Sequence, residues 1–308
     1  MVPTSAAVLF PAAAAALMVM AVLWLPGPAA AATTPPRAPA IGLADCDTIC
    51  GSVKVPYPFG FGPSHCYWPG LNLTCDTGHR PPRLLLGDGT LRVTEISLNN
   101  ATVRVMRTGS IINTTGDFTS DGWNASLGNG FTEYGYWLSC SENELVVSGC
   151  NVMATLLEAD TIIGGCATFC TKLEDGSITP IAGTSPCCQA PIAGDNPPTE
   201  VQARWLYRGN HTAEQDVAAV NVFVAEKGWA EQNMQVGANE LKEAPLVLGW
   251  AIMRGLPQPN YSGGCDNVTS RMLCKSEHSE CWEYMGGYAC LCEDGYDGNP
   301  YLAGGCQG

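Results

Sequence analysis

Residues 265–306 read CDNVTSRMLCKSEHSECWEYMGGYACLCEDGYDGNPYLAGGC. Six cysteines, Cys265, Cys274, Cys281, Cys290, Cys292 and Cys306, stand with 8, 6, 8, 1 and 13 residues between them. A segment this short cannot bury enough apolar surface to fold unaided and needs covalent staples. The pattern therefore points to an oxidising compartment outside the cytosol. Six cysteines allow fifteen pairings, and spacing alone does not choose among them. A zinc site is the other use of clustered cysteines. It fits poorly, because Cys290 and Cys292 are one residue apart where zinc motifs have two or more.

The Cys290-x-Cys292 pair, followed by Gly295-Tyr296 and a last cysteine, resembles an EGF-like domain. That resemblance implies the pairs Cys265–Cys281, Cys274–Cys290 and Cys292–Cys306. Calcium-binding members of that class carry acidic residues just before the first cysteine. Residues 260–264 hold no carboxylate here, and Glu283 stands where those units have Asn or Asp. The unit is expected to be a calcium-free structural spacer.

The rest of the chain agrees with a secretory route. Val8 to Leu25 is almost wholly apolar and small residues follow at Ala29 to Ala32, the form of a signal peptide over residues 1–32; the rival is an uncleaved anchor helix, against which Pro11, Pro26 and Pro28 argue. Residues 33–45 are Pro- and Ala-rich and read as a flexible leader. Seven Asn-x-Ser/Thr sequons begin at Asn72, Asn100, Asn113, Asn124, Asn210, Asn260 and Asn267, so much of the surface is expected to carry sugar. After residue 32 no stretch is long and apolar enough to span a bilayer. The net charge of −14 is uneven. Residues 46–113 hold six Lys/Arg (Lys54, Arg80, Arg83, Arg92, Arg104, Arg107) against four acids, while residues 114–308 hold eight against twenty-four. An acidic chain with one basic end is suited to an anionic partner at that end, and nothing in it suggests nucleic acid.

That basic end opens with Cys50-Gly51-Ser52-Val53-Lys54-Val55-Pro56-Tyr57-Pro58-Phe59-Gly60. Val53 and Val55 alternate with polar residues at strand spacing, and the prolines forbid a helix. The string resembles the galacturonan-binding segment of plant wall-associated receptor kinases. Similarity continues through Ser148-Gly149-Cys150, Gly165-Cys166 with Cys170, Cys187-Cys188-Gln189, Ala225 to Trp229, and Ala244 to Ile252. It ends in Gly295-Tyr296-Asp297-Gly298-Asn299-Pro300-Tyr301, also similar to that family. The resemblance spans residues 46–306 and implies three parts. These are a galacturonan-binding-like domain over 46–113, a second ectodomain block over 114–259 and the EGF-like unit over 260–308. The family continues into a membrane helix and a kinase. The sequence contains no Gly-rich loop, catalytic Lys or Asp-Phe-Gly, so an ectodomain alone is expected.

Residues 114–259 show short apolar alternations broken by Gly and Pro, which read as further strands; Thr161 to Cys170 has room for a short helix. The expected fold is mainly β, a disulfide-rich sheet ectodomain followed by the small EGF-like module. Sixteen cysteines, an even number, are expected to be all bridged, with Cys187 and Cys188 going to different partners.

Leu91 to Thr108 reads as a hairpin turning at Asn99-Asn100. Regular pairing sets Glu95 against Arg104 and Arg92 against Arg107. The first pair is self-consistent. The second sets like charges face to face, which is destabilising unless an anion sits between them. Galacturonan, with a carboxylate on each sugar, is the anion the resemblance implies, and the arginine fork matches a carboxylate. The candidate ligand set is Lys54, Arg80, Arg83, Arg92 and Arg107, with Tyr67 and Trp68 offering ring faces from an exposed loop. Tyr57 and Phe59 are assigned to the core.

Catalytic signatures are missing. Asp76-Thr77-Gly78 matches one half of an aspartic-protease pair but has no second copy, so Asp76 reads as a turn residue. No His-Glu-x-x-His or Gly-x-Ser-x-Gly occurs. The sequence thus reads as a secreted pectin-binding protein of the plant cell wall, without cofactor, metal or enzymatic activity. The rival reading is a soluble ectodomain that binds other extracellular proteins or peptides in competition with full-length receptor kinases.

Overall fold

The computed structural model describes residues 40–87, 89–108, 112–113, 123–126, 135–181, 187–194, 198–234, 243–259 and 264–308; of residues 108, 112–113 and 123–126 only the backbone is described. The expected signal peptide, most of the leader and the sequon at Asn260 lie outside these residues. Strand accounts for 44% and helix for 10%, so the chain is mainly β. Residues 39–308 form one compact unit.

Pro56 and Pro58 bar a helix after Cys50, and the alternation before them makes a two-stranded hairpin instead. Ile49–Cys50 pairs antiparallel with Val53–Lys54. Val53 and Val55 turn inward, and the chain then delivers Phe59 to the centre of the core. The Phe59 ring meets Trp250 edge-on at a centroid distance of 4.7 Å, and Trp250 lies 6.1 Å from Tyr301. Such aromatic contacts add about 1 kcal/mol each beyond the area they bury.

Tyr301 brings the C-terminal unit into the same core. Its hydroxyl accepts a hydrogen bond from the Cys290 amide at 2.8 Å. Asn299, 3% exposed, donates its side-chain amide to the carbonyls of Ile41 (3.1 Å) and Tyr57 (2.7 Å). Its Oδ1 accepts from the Tyr301 amide at 2.9 Å. Ile252 and Tyr288 exchange backbone hydrogen bonds of 2.8 and 3.0 Å. The EGF-like unit is therefore built into the fold and is not the spacer its sequence suggested.

The largest sheet has six strands in the spatial order Thr74–Asp76, Arg83–Leu86, Leu91–Ser97, Thr102–Thr108, Glu243–Trp250, Tyr136–Leu138. It takes strands from both sides of residue 113. Leu84, Leu86, Leu91, Val93, Val103, Val105, Leu246 and Leu248 point inward from its successive strands, the two-residue period of a half-buried sheet. Two four-stranded sheets complete the body. One orders Cys187–Pro191, Asn143–Ser148, Asn221–Glu226 and Ile112–Asn113; the other orders Thr161–Ala167, Val152–Glu158, Glu200–Trp205 and Trp123–Ser126. Asn143 is fully buried and welds the first of these to the large sheet. Its amide donates to Ser139 and Val247 carbonyls at 2.6 and 2.7 Å, and its Oδ1 accepts from the Val247 amide at 3.0 Å.

Two expectations need correction. The segment with room for a short helix, Thr161 to Cys170, holds the strand Thr161–Ala167, paired with Val152–Glu158. Its Thr-Ile-Ile start is β-branched and Gly164-Gly165 disfavours a helix, so the neighbouring strand captures it. The expectation that all cysteines are bridged also fails. Seven bridges form: Cys46–Cys66, Cys50–Cys75, Cys150–Cys170, Cys166–Cys188, Cys265–Cys281, Cys274–Cys290 and Cys292–Cys306. Cys140 and Cys187 take no part in them. Neighbouring residues on a strand face opposite ways. Cys188 reaches Cys166, while the Cys187 sulfur sits 3.9 Å from the Met234 sulfur in a minor apolar cluster with Trp229. Cys140 packs against the main core.

Two measurements test this packing. Asn299→Ala leaves two carbonyls and an amide without their partner, and each buried orphan costs about 1–3 kcal/mol. Urea unfolding of the variant should show a loss of about 3 kcal/mol or more, and a loss below about 1 kcal/mol would contradict the junction. Burial, helped by the charge of Glu144, pushes the Cys187 thiol up to about 11. At pH 8 about one molecule in a thousand then carries the reactive thiolate. Iodoacetamide should label Cys187 slowly in the folded protein and promptly after unfolding, read by peptide mass; prompt labelling of folded protein would contradict its burial.

Candidate functional site

The basic residues of the N-terminal part divide into an open set and a committed set. The open set lies where the two-stranded N-terminal hairpin meets the loop and strand Arg83–Leu86 of the six-stranded sheet. Gly51, at φ +60°, turns the first hairpin so closely against the next loop that an added Cβ would stand 2.1 Å from the Pro82 carbonyl oxygen. Only glycine fits there. The contact places the strand bearing Lys54 beside the loop and strand bearing Arg80 and Arg83, and the Cys50–Cys75 bridge pins the same junction. All three side chains are exposed, and no described residue forms an ion pair with any of them.

Asp76 stands opposite Arg83 in the ladder. It is a turn residue. Its Oδ1 accepts from the Gly78 amide at 2.8 Å and its Oδ2 lies 2.8 Å from His79 Nδ1. The Gly78 hydrogen bond first, and the His79 contact second, hold its carboxyl below the ordinary range.

The committed set corrects the expected hairpin register. Near the turn the pairing is as read, with Glu95 against Arg104 and Ile96 against Val103. At Thr94 the register shifts. The Thr94 hydroxyl donates to the Arg104 carbonyl at 3.1 Å, and the residue bulges out of the ladder. Beyond it Arg92 faces Met106 and Arg107 faces Leu91, so the two arginines are not opposed. Arg92 emerges on the outer face and pairs with Glu243 at 2.5 Å. Arg107 shares the inward parity of Val103 and Val105, and burial lowers its pKa from the ordinary arginine value. Arg104 does have an acidic partner, but it is Glu226 at 2.6 Å, from the neighbouring four-stranded sheet.

The expected aromatic loop is also corrected. Trp68 is half-buried, packs on the main core and donates its indole N–H to the Arg254 carbonyl at 2.7 Å. It anchors the loop and has one face already covered. Tyr67 is half-buried. Asn72, Asn100, Asn210 and Asn267, four of the sequon asparagines, are exposed. Two groups of metal-type ligands occur among the described residues, Cys46/His65/Cys66 and Cys274/Cys281/Cys290, but every cysteine in them is disulfide-bonded and offers no thiolate.

The outer face of the same sheet carries a groove of about 470 Å³ where the hairpin tip, the strand Tyr136–Leu138 and the EGF-like unit meet. Sequence reading did not find it, because its lining comes from five separated segments. The one local signal is Gly249 in an otherwise apolar strand, which leaves space for the ring of Trp137.

A mainly β, disulfide-stapled chain closed by an EGF-like unit has the build of a receptor ectodomain. Residues 46–107 match the family described as wall-associated receptor kinase galacturonan-binding. The chain is 30% identical to wall-associated receptor kinase 2 of Arabidopsis thaliana over 277 residues, which cover 85% of this chain and 34% of that protein. It is 30% identical to wall-associated receptor kinase 4 of the same plant (86% and 34% covered) and 25% identical to its wall-associated receptor kinase-like 4 (85% and 36% covered). Over most of its length the chain is similar to these wall-associated receptor kinases, and it spans about a third of the length of the curated relatives it matches. No solved structure matches it. Among the described residues no helix is long and apolar enough to cross a membrane.

Proposed function

We propose that this chain binds galacturonan in the extracellular plant cell wall through the surface formed by Lys54, Arg80 and Arg83. The observation that carries the reading is the match of residues 46–107 to the galacturonan-binding family, on a segment whose exposed cations stand on the first hairpin and on the loop and strand that Gly51 meets at Pro82. A polyuronate offers carboxylates in series, and the two arginines offer planar forks that take them in pairs. Arg107 is half-buried and shares the inward parity of Val103 and Val105, so it stands apart from these exposed cations. Arg92 contributes only by releasing Glu243, so it too ranks below the exposed three. The reaction class is binding, without bond-making chemistry.

The test compares de-esterified with methyl-esterified pectin on the purified chain. Two charge-assisted contacts at exposed positions are worth about 1 kcal/mol each, so Arg80→Gln with Arg83→Gln should weaken binding to de-esterified pectin roughly thirtyfold. Arg92→Gln should change it less than about threefold. Raising the ionic strength from about 0.1 M to about 1 M shortens the screening length from about 10 Å to about 3 Å and should weaken binding steeply. Parent-like binding by the double variant would remove this surface as the site. Equal binding of both pectins would remove polyuronate recognition altogether.

A further inference from the structure

We propose that the groove on the outer face of the six-stranded sheet is a second binding site, for a peptide segment bearing Lys or Arg. Its floor is aromatic. Gly249 has no side chain, and an added Cβ would stand 2.4 Å from the Trp137 indole, so the ring lies directly over the strand. Tyr284, from the EGF-like hairpin, leans on Trp137 at 5.2 Å and 54°. Tyr284 remains 51% exposed, and Trp282, two residues back on the same strand face, is 49% exposed. Trp137 beneath is 5% exposed and Trp282 lies outside the lining, so Tyr284 is the large ring left open at the groove, and such a ring marks a contact site.

The walls are acidic. Glu95, Glu142 and Glu226 line the groove, and Arg104 is the one basic residue among the lining. Arg104 is spent on Glu226 at 2.6 Å. Glu95 and Glu142 are exposed and no described residue forms an ion pair with either. Lys227 is close by through its backbone, whose amide donates to the Glu142 carbonyl at 3.0 Å, but its side chain does not line the groove.

Two carboxylates outside any ion pair among the described residues, beside the half-exposed Tyr284 ring, suit a cation. An ammonium or guanidinium gains charge-assisted hydrogen bonds from the acids and a cation–π contact from the ring. A polyuronate would be repelled, so this groove is distinct from the basic surface and the inference does not rest on the pectin reading. A neutral sugar would use the rings but gains nothing from the two unpaired charges. The net charge of −14 also favours a basic partner over an acidic one.

The probe is a short fluorescein-labelled peptide of alternating Lys and Gly, followed by anisotropy on the purified chain, with a Ser-Gly peptide as the uncharged control. Glu95→Gln with Glu142→Gln should weaken Lys-Gly binding about tenfold. Tyr284→Leu, which keeps bulk and removes the π face, should weaken it about threefold. Asp160→Asn with Glu174→Gln removes the same charge from exposed turns elsewhere and should change binding by less than about twofold. If both charge pairs weaken binding equally, the peptide follows overall charge and the site is overturned. Salt-insensitive binding of a neutral cello-oligosaccharide that is lost in Tyr284→Leu would overturn it in favour of a sugar site. The Glu95/Glu142 variant should bind de-esterified pectin as the parent does, so failure at one site is read separately from failure at the other.

Discussion

The side-chain amide of Asn299 is the constraint on which the arrangement turns. It is nearly sealed from solvent, and a buried amide is tolerated only when its donors and acceptor are all engaged. Here it meets that condition by joining three stretches of chain. Two are the carbonyls of Ile41 and Tyr57, 258 and 242 residues earlier, and the third is the neighbouring Tyr301 amide. Because these bonds are directional, they fix the angle at which the C-terminal unit meets the N-terminal hairpin. Phe59, Trp250 and Tyr301 then fill the space between them. Asn143 does the same between the large sheet and its four-stranded neighbour.

This welding explains how a chain of short strands and small stapled units can present extended surfaces. The groove needs the EGF-like hairpin to hold Tyr284 against Trp137, and the Arg104–Glu226 pair needs the two sheets to be fixed side by side. The basic surface depends on a different device, the Gly51–Pro82 contact with the Cys50–Cys75 bridge. The fold therefore carries exposed cations beside the N-terminal hairpin and carboxylates around a hollow on the outer face of the large sheet. The bulge at Thr94 helps to sort the charges: it turns Arg92 outward to Glu243, away from the face of Arg107.

Some of this was legible in the sequence. The alternation of Val53 with Val55, and of Leu91 with Val93, shows strands because a two-residue period survives in any half-buried sheet. The YPFG and GNPY strings carried the family, although not the fact that they touch. What could not be read depended on distant partners. Whether Thr94 stays in the ladder depends on its hydroxyl capturing one carbonyl, which pairing rules do not include. Arg92 finds Glu243, 151 residues on, and Trp68 finds the Arg254 carbonyl, 186 residues on. Thr161 to Ala167 was misread because a short segment of mixed character takes the structure of the strand beside it.

The claim that the N-terminal hairpin, both sheet systems and the EGF-like unit share one core is tested most directly by scanning calorimetry of the disulfide-intact chain. One core predicts one transition in which the calorimetric and van't Hoff enthalpies agree. Two resolved transitions, with a small one assignable to the EGF-like unit, would contradict it.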